Sequence, residues 1–286
     1  MRLYFLFFVW AVEINFSLAH AQSPILASAQ LPAFFYQGDQ PKIQFLLSNK
    51  GNLEQTGNLQ LELFDAKTKN PVDGWFYNQL SNQYFTLAAG EHSTVRFPLT
   101  IPNLFSGNIH WQLTVRIDST KQTISGQFEV RATHPADTML TADQTTAKGG
   151  MRLLLRKAEP TKKITEQPVS PFSVQPIGQA IFLKMTIVIY RKLDSCVVLL
   201  PLSAGLQLKG QGLLFSKGKP KAIAKQPLND TTLSMTLYDL APGTYQWEYQ
   251  FTTRYPGQFL VPACRLQLFN EARKEYHFVS KTIEID

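Results

Sequence analysis

Tyr245-Gln246-Trp247-Glu248-Tyr249-Gln250-Phe251 is the stretch whose reading decides the fold class. Apolar and polar side chains alternate with a period of two. An extended segment of this kind turns one face to a core and the other to water, as half-buried antiparallel strands do. Trp111, Leu113, Val115 and Ile117 alternate in the same way with Gln112, Thr114 and Arg116, and Leu59, Leu61 and Leu63 with Gln60 and Glu62. Turn signals separate such runs: Gln37-Gly38-Asp39, Asn49-Lys50-Gly51-Asn52, Ser106-Gly107-Asn108, Ala241-Pro242-Gly243 and Tyr255-Pro256-Gly257. No segment keeps an apolar pattern at helical spacing between capping residues. The expectation is an all-β chain of antiparallel, immunoglobulin-like sandwiches.

The organisation follows from composition. At 286 residues and 44% apolar, with 17% charged, the chain is too apolar for a disordered polymer. Its length suits two ordinary domains in tandem. Residues 22–150 carry 9 Lys/Arg against 10 Asp/Glu, and residues 151–286 carry 18 against 10, so all of the basic excess lies in the second half. The polar, Thr/Ala/Asp-rich stretch 133–150, ending in Gly149-Gly150, reads as a linker. It separates a sandwich over 22–132 from a second over 151–286. Within the second, Pro160 to Pro176 reads as irregular and Gln207 to Asp230 as a long Lys/Gly-rich loop.

Met1-Arg2, an apolar run from Leu3 to Val12, and Leu18-Ala19-His20-Ala21 before Gln22 predict a signal peptide over 1–21. Export would place Cys196 and Cys264 in an oxidising compartment. Two separately buried thiols are the favoured reading, with a Cys196–Cys264 disulfide as the alternative. Beyond the N-terminal run no apolar stretch reaches the roughly 20 residues of a membrane helix, so the cleaved chain is not expected to span a membrane.

The chemistry is mostly negative. His92, His110, His134 and His277 form no H-x-H or H-E-x-x-H spacing, and neither cysteine lies near one of them, so no metal or cofactor site is expected. There is no G-x-S-x-G, and Gly210-Gln211-Gly212 through Lys219-Pro220 fails the phosphate-loop spacing. The chain reads as a non-enzyme. Lys209, Lys217, Lys219, Lys221 and Lys225 share one stretch without an acid, a candidate basic interaction loop for an anionic surface or an acidic patch. The favoured reading of those lysines is a solvated positive surface. Nucleic acid is not expected as a partner, because the aromatics sit in the strands and not among the lysines.

Several stretches resemble bacterial alpha-2-macroglobulins. Leu31-Pro32-Ala33-Phe34-Phe35-Tyr36-Gln37-Gly38-Asp39 is similar to that family's P-R-F-x-R-E-G-D entry to a strand-rich domain. Gly57 to Ala66, with Asn70-Pro71-Val72, is similar to its T-G-x-x-x-L-E-L-F-D-A strand and K-P-V turn. Leu200-Pro201-Leu202-Ser203-Ala204-Gly205-Leu206, Leu240-Ala241-Pro242-Gly243-Thr244-Tyr245 and Arg254-Tyr255-Pro256-Gly257-Gln258-Phe259 resemble its terminal macroglobulin-like sandwich. The family's thioester motif G-C-x-E-Q is absent, since neither cysteine has a Glu-Gln neighbour, and its closing M-Y-x-P-E is replaced by Leu268 to Arg273. The resemblance implies two macroglobulin-like modules without covalent protease capture. It implies a bacterial, periplasmic or secreted binding protein with a protein partner in the cell envelope, as an accessory to a larger protease-trapping macroglobulin. The alternative is an envelope assembly or chaperone-like protein that holds a client by strand addition.

Overall fold

A computed structural model describes residues 24–132, 147–158, 164–170, 173–209, 213–216, 222–225, 232–268, 275–277 and 280–286. The described residues contain strands and no helix. The first eight strands are β1 (Ile25–Gln30), β2 (Phe34–Tyr36), β3 (Gln40–Asn49), β4 (Gln55–Asp65), β5 (Asn82–Leu87), β6 (His92–Pro98), β7 (Gly107–Ile117) and β8 (Thr120–Arg131). Next come β9 (Ala147–Ala158), β10 (Ile164–Pro168), β11 (Val174–Gln175), β12 (Ala180–Ile189), β13 (Leu193–Pro201), β14 (Leu206–Leu208), β15 (Leu213–Ser216) and β16 (Ala222–Lys225). The last six are β17 (Thr232–Leu240), β18 (Gly243–Thr253), β19 (Gly257–Val261), β20 (Arg265–Leu268), β21 (Glu275–His277) and β22 (Lys281–Ile285).

The period-two runs become the central strands. In β4 and β7, Leu59, Leu61 and Leu63 lie opposite Val115, Leu113 and Trp111, and all six are buried. They belong to a sheet of order β2-β8-β7-β4-β5, which faces β1-β3-β6. Phe45 of β3 closes the space between these layers, edge-on to Phe97 at 5.7 Å and to Trp111 at 5.5 Å. In the second half, β10-β9-β12-β18-β14 forms one sheet, with β15 also on β18, and β16-β17-β13-β20-β21 forms another. Ile181, Leu183, Met185 and Ile187 on β12 and Tyr245, Trp247 and Phe251 on β18 supply buried side chains from the first of these. Burying such alternating faces against each other is the main stabilising term of a sandwich.

The two halves share a sheet. Strands β22 and β19 continue the β1-β3-β6 layer, because β19 pairs with β3 at Gly257↔Pro41 and Gln258↔Gln40. Gly257 has φ +134°, and a Cβ there would stand 2.6 Å from the Gln40 carbonyl oxygen and 2.7 Å from Pro41 Cα. Only glycine fits so close a backbone crossing at that φ. Beside it the Lys42 amide donates to the Pro256 carbonyl at 3.0 Å, and Phe35 stacks on Phe259 with centroids 6.5 Å apart. Asp39 is 1% exposed at this crossing. Its Oδ1 accepts from the Leu260 amide and its Oδ2 from the Tyr36 amide, both at 2.8 Å. One hydrophobic cluster runs through both halves.

Three sequence expectations change. Gly149-Gly150 lies inside β9, where Gly149 opposes Ile187 and Gly150 opposes Thr186, so Ala147–Gly150 is strand and not linker. The Pro160–Pro176 region contributes β10, which forms an antiparallel pair with β9. The Lys/Gly-rich stretch is broken by β14, β15 and β16. In each case a neighbouring strand supplies backbone partners that the segment's own composition does not advertise.

Candidate recognition groove

Strand β9 is twelve residues long and its two edges are treated differently. On one edge it pairs with β12 from Ala147 to Leu154. On the other, β10 covers Leu154–Ala158, and the Val169 amide extends that contact by one bond to the Leu153 carbonyl at 2.9 Å. Among the described residues no strand pairs with Ala147–Arg152 on that second edge. Strand β22 is similar: β19 covers Lys281–Ile285, but β11 reaches only Glu284 and Ile285. A groove of about 1020 Å³ is lined from both strands, by Gly149–Leu154 of β9 and by Ser280, Lys281 and Thr282. Glu166, Pro168 and Val169 line it from β10 and just beyond, with Lys184, Thr186 and Val188 from β12 and Gln246 from β18. Gly150 keeps the floor open, since a Cβ there would meet nothing within 4 Å.

The electrostatics of the groove are organised by one arginine. Arg156 Nη2 donates to Glu248 Oε2 at 2.5 Å and to Glu166 Oε1 at 2.7 Å, while its guanidinium lies 4.3 Å from the Phe182 ring centroid. Glu248 is 7% exposed, so this arginine is what makes the burial of a carboxylate on β18 tolerable. The hydrogen bond from Arg156 holds the Glu166 carboxyl below the usual carboxylate range against a small opposing effect of burial, and Lys184 Nζ adds attraction from 3.8 Å. Glu166 is therefore engaged from two sides. Among the described residues no carboxylate pairs with Arg152 or Lys281, which leaves the groove with a positive lining.

The residues singled out from sequence fall elsewhere. Lys217, Lys219 and Lys221 lie outside the described residues. Lys209 is exposed just after β14, its amide donating to the Gln250 carbonyl, and Lys225 closes β16, so these two do not share one continuous loop. Cys196 and Cys264 are buried free thiols. Cys196 opposes Leu268, and Cys264 adjoins Arg265, which opposes Leu199. That register sets the cysteines about four residues apart along β13, or about 13 Å, beyond the roughly 7 Å limit for a disulfide. Burial pushes the Cys196 thiol up to about 12 and raises that of Cys264 as well, which favours the protonated form of both over the thiolate. The signal-peptide stretch 1–21 and His134 lie outside the described residues, and His110 of β7 packs beside Phe64 of β4.

Two further observations bound the site. A cleft of about 490 Å³ lies between the edges of β5 and β6, but the Gln83 side-chain amide already spans it to the Arg96 carbonyl at 2.7 Å. Among the described residues no three His, Cys, Asp or Glu side chains converge for a metal ion, and no helix is long and apolar enough to cross a membrane. Sequence reasoning missed the groove because its floor is Gly149-Gly150, which resembles a hinge in sequence.

Comparison with known proteins bears on both halves. Residues 154–271 match the family model of the bacterial alpha-2-macroglobulin MG10 domain. Escherichia coli alpha-2-macroglobulin, in a structure from domain MG7 to the C-terminus, superposes with a TM-score of 0.62 at 8% identity. That superposition covers 93% of this chain and 100% of the other. Salmonella alpha-2-macroglobulin reacted with methylamine gives 0.62 at 8% identity over 92% of this chain, and trypsin-activated E. coli alpha-2-macroglobulin gives 0.61 at 8% over 92%. The chain spans 41% and 43% of those two proteins. At such identity the superpositions establish the fold. No curated protein matches the chain by sequence.

Proposed function

We propose that this chain, whose residues 154–271 match the family model of the bacterial alpha-2-macroglobulin MG10 domain, is a non-catalytic recognition protein of the bacterial cell envelope. In this reading it is exported to the periplasm or beyond, and it docks a protein partner, such as a larger protease-trapping macroglobulin, without covalent capture. The observation that carries the reading is the groove at Gly149–Leu154: an open, positively lined depression of about 1020 Å³ set on the β9–β12 sheet. Pairing with β12 along Ala147–Leu154 holds such a surface in one shape, so binding there incurs little ordering cost. Buried thiols and an arginine committed to two carboxylates fit recognition better than chemistry.

The test is affinity isolation of the full chain from an envelope fraction, with Gly150→Trp and Gly150→Ala compared. The indole projects into the groove, where a Cβ meets nothing within 4 Å, and the methyl barely enters it. Partners retained by the wild type and Gly150→Ala but lost from Gly150→Trp are expected. Recovery of the same partners with all three proteins, or of none with the wild type, overturns the reading.

A further inference from the structure

The edge of β9 that no described strand covers gives the groove a more specific use. From Ala147 to Arg152 the strand has β12 on one side and no described strand on the other, six residues in line with the place where β10 stops. Such an edge presents a row of amide and carbonyl groups that pair with any extended chain brought alongside. Six residues span about 20 Å, the length of an ordinary strand. The Val169 amide bonded to the Leu153 carbonyl shows how far the existing ladder reaches before the chain turns away.

The lining selects the charge of the visitor. Arg152, Lys184 and Lys281 reach the groove against a single acid, Glu166, which is already held by Arg156 and Lys184. Arg152 stands on the edge strand itself and Lys281 on the opposite wall, so an added strand would pass between two cations.

We propose that the groove binds an extended, acidic peptide segment of a partner protein by strand addition to β9 at Ala147–Arg152, with the segment's carboxylates meeting Arg152 and Lys281. The proposal rests on the groove being the recognition site. It adds the conformation and the charge of what is recognised. Backbone pairing supplies affinity with little sequence preference, and the two cations supply the choice of acidic over basic segments.

The probe is a fluorescent peptide of about eight residues alternating Glu and Val, a length that covers an average strand. It is compared with the same peptide carrying Lys for Glu, and with the acidic peptide N-methylated at alternate residues. Anisotropy with the full chain is expected to show binding of the acidic peptide. The Lys peptide, the N-methylated peptide and the Arg152→Glu/Lys281→Glu variant are each expected to weaken it by at least roughly tenfold. Hydrogen exchange is expected to slow at β9 amides and to leave β4 and β7 unchanged.

Equal binding of the N-methylated peptide, or binding without protection in β9, overturns strand addition. Equal binding of the Lys peptide overturns the choice of charge, and no binding of any peptide overturns the whole proposal. Partner loss on Gly150→Trp together with failure of all the peptides leaves the groove as a recognition site and removes only its peptide mode.

Discussion

Asp39 shows what one residue can hide. In the sequence Gln37-Gly38-Asp39 is a turn, and Gly38 indeed takes φ +85°. The structure turns the same aspartate into the joint between the halves, accepting amides from Tyr36 and from Leu260, 221 positions away. Burial raises its carboxyl to about 7, against the lowering effect of those two hydrogen bonds. A carboxyl near 4 when unfolded and near 7 when folded is protonated only in the folded chain between those values. The contribution of this carboxyl to stability is therefore greatest below about pH 4, falls as the pH rises to about 7, and levels off above. About three pH units correspond to about 4 kcal/mol as an upper bound. Asp39→Asn keeps the size and one acceptor and removes the titration. Urea denaturation at several pH values is expected to show the stability difference between wild type and Asp39→Asn shrinking by a large part of that amount from low to neutral pH. Parallel pH profiles for the two proteins would refute the role of this carboxyl.

At the scale of the element, β18 was legible and its outer face was not. The alternation places Tyr245, Trp247 and Phe251 in the core, where they are. It also places Glu248 in water, yet that side chain is covered and bound by Arg156, which arrives from β9 and rests on Phe182 of β12. Periodicity assigns a face and says nothing about what lies over it. Removing the guanidinium leaves a buried carboxylate without its partner, so Arg156→Leu is expected to destabilise the chain by about 1–3 kcal/mol. Chemical denaturation measures that cost, and the double change Arg156→Leu/Glu248→Leu is expected to recover part of it. The short strands β15 and β16 escape notice for a related reason. They pair along β18 and β17, so their structure comes from a neighbour's free edge and not from their own pattern.

Over the whole molecule, the continuous sheet through β3 and β19 makes the two halves depend on each other. The Gly257 crossing, the Phe35–Phe259 stack and the pairing of Asp286 with Lys42 and Arg96 all join residues distant in sequence. The exposed ion pairs contribute little, whereas the shared core couples the halves. Calorimetry is expected to give a single cooperative transition for the wild type. Gly257→Val, which drives a side chain into the Gln40 and Pro41 backbone, is expected to lower the melting temperature and to separate that transition into two. Two transitions already present in the wild type would show that the joint is energetically slight.

By itself the sequence determined what is local. The period of two sets strands, glycine and proline set turns, and the order of modest motifs points to bacterial alpha-2-macroglobulins, a resemblance matched by the MG10 model over residues 154–271. These properties depend on neighbours within a few residues, so they can be read along the chain. Tertiary structure decided the rest: that β19 joins β3, that Asp39 and Glu248 are buried, that Cys196 and Cys264 stand too far apart to bond, and that a double glycine forms the floor of a groove. Each depends on which distant strand lies alongside, and pairing between strands is set by the fit of whole faces, which no single segment carries.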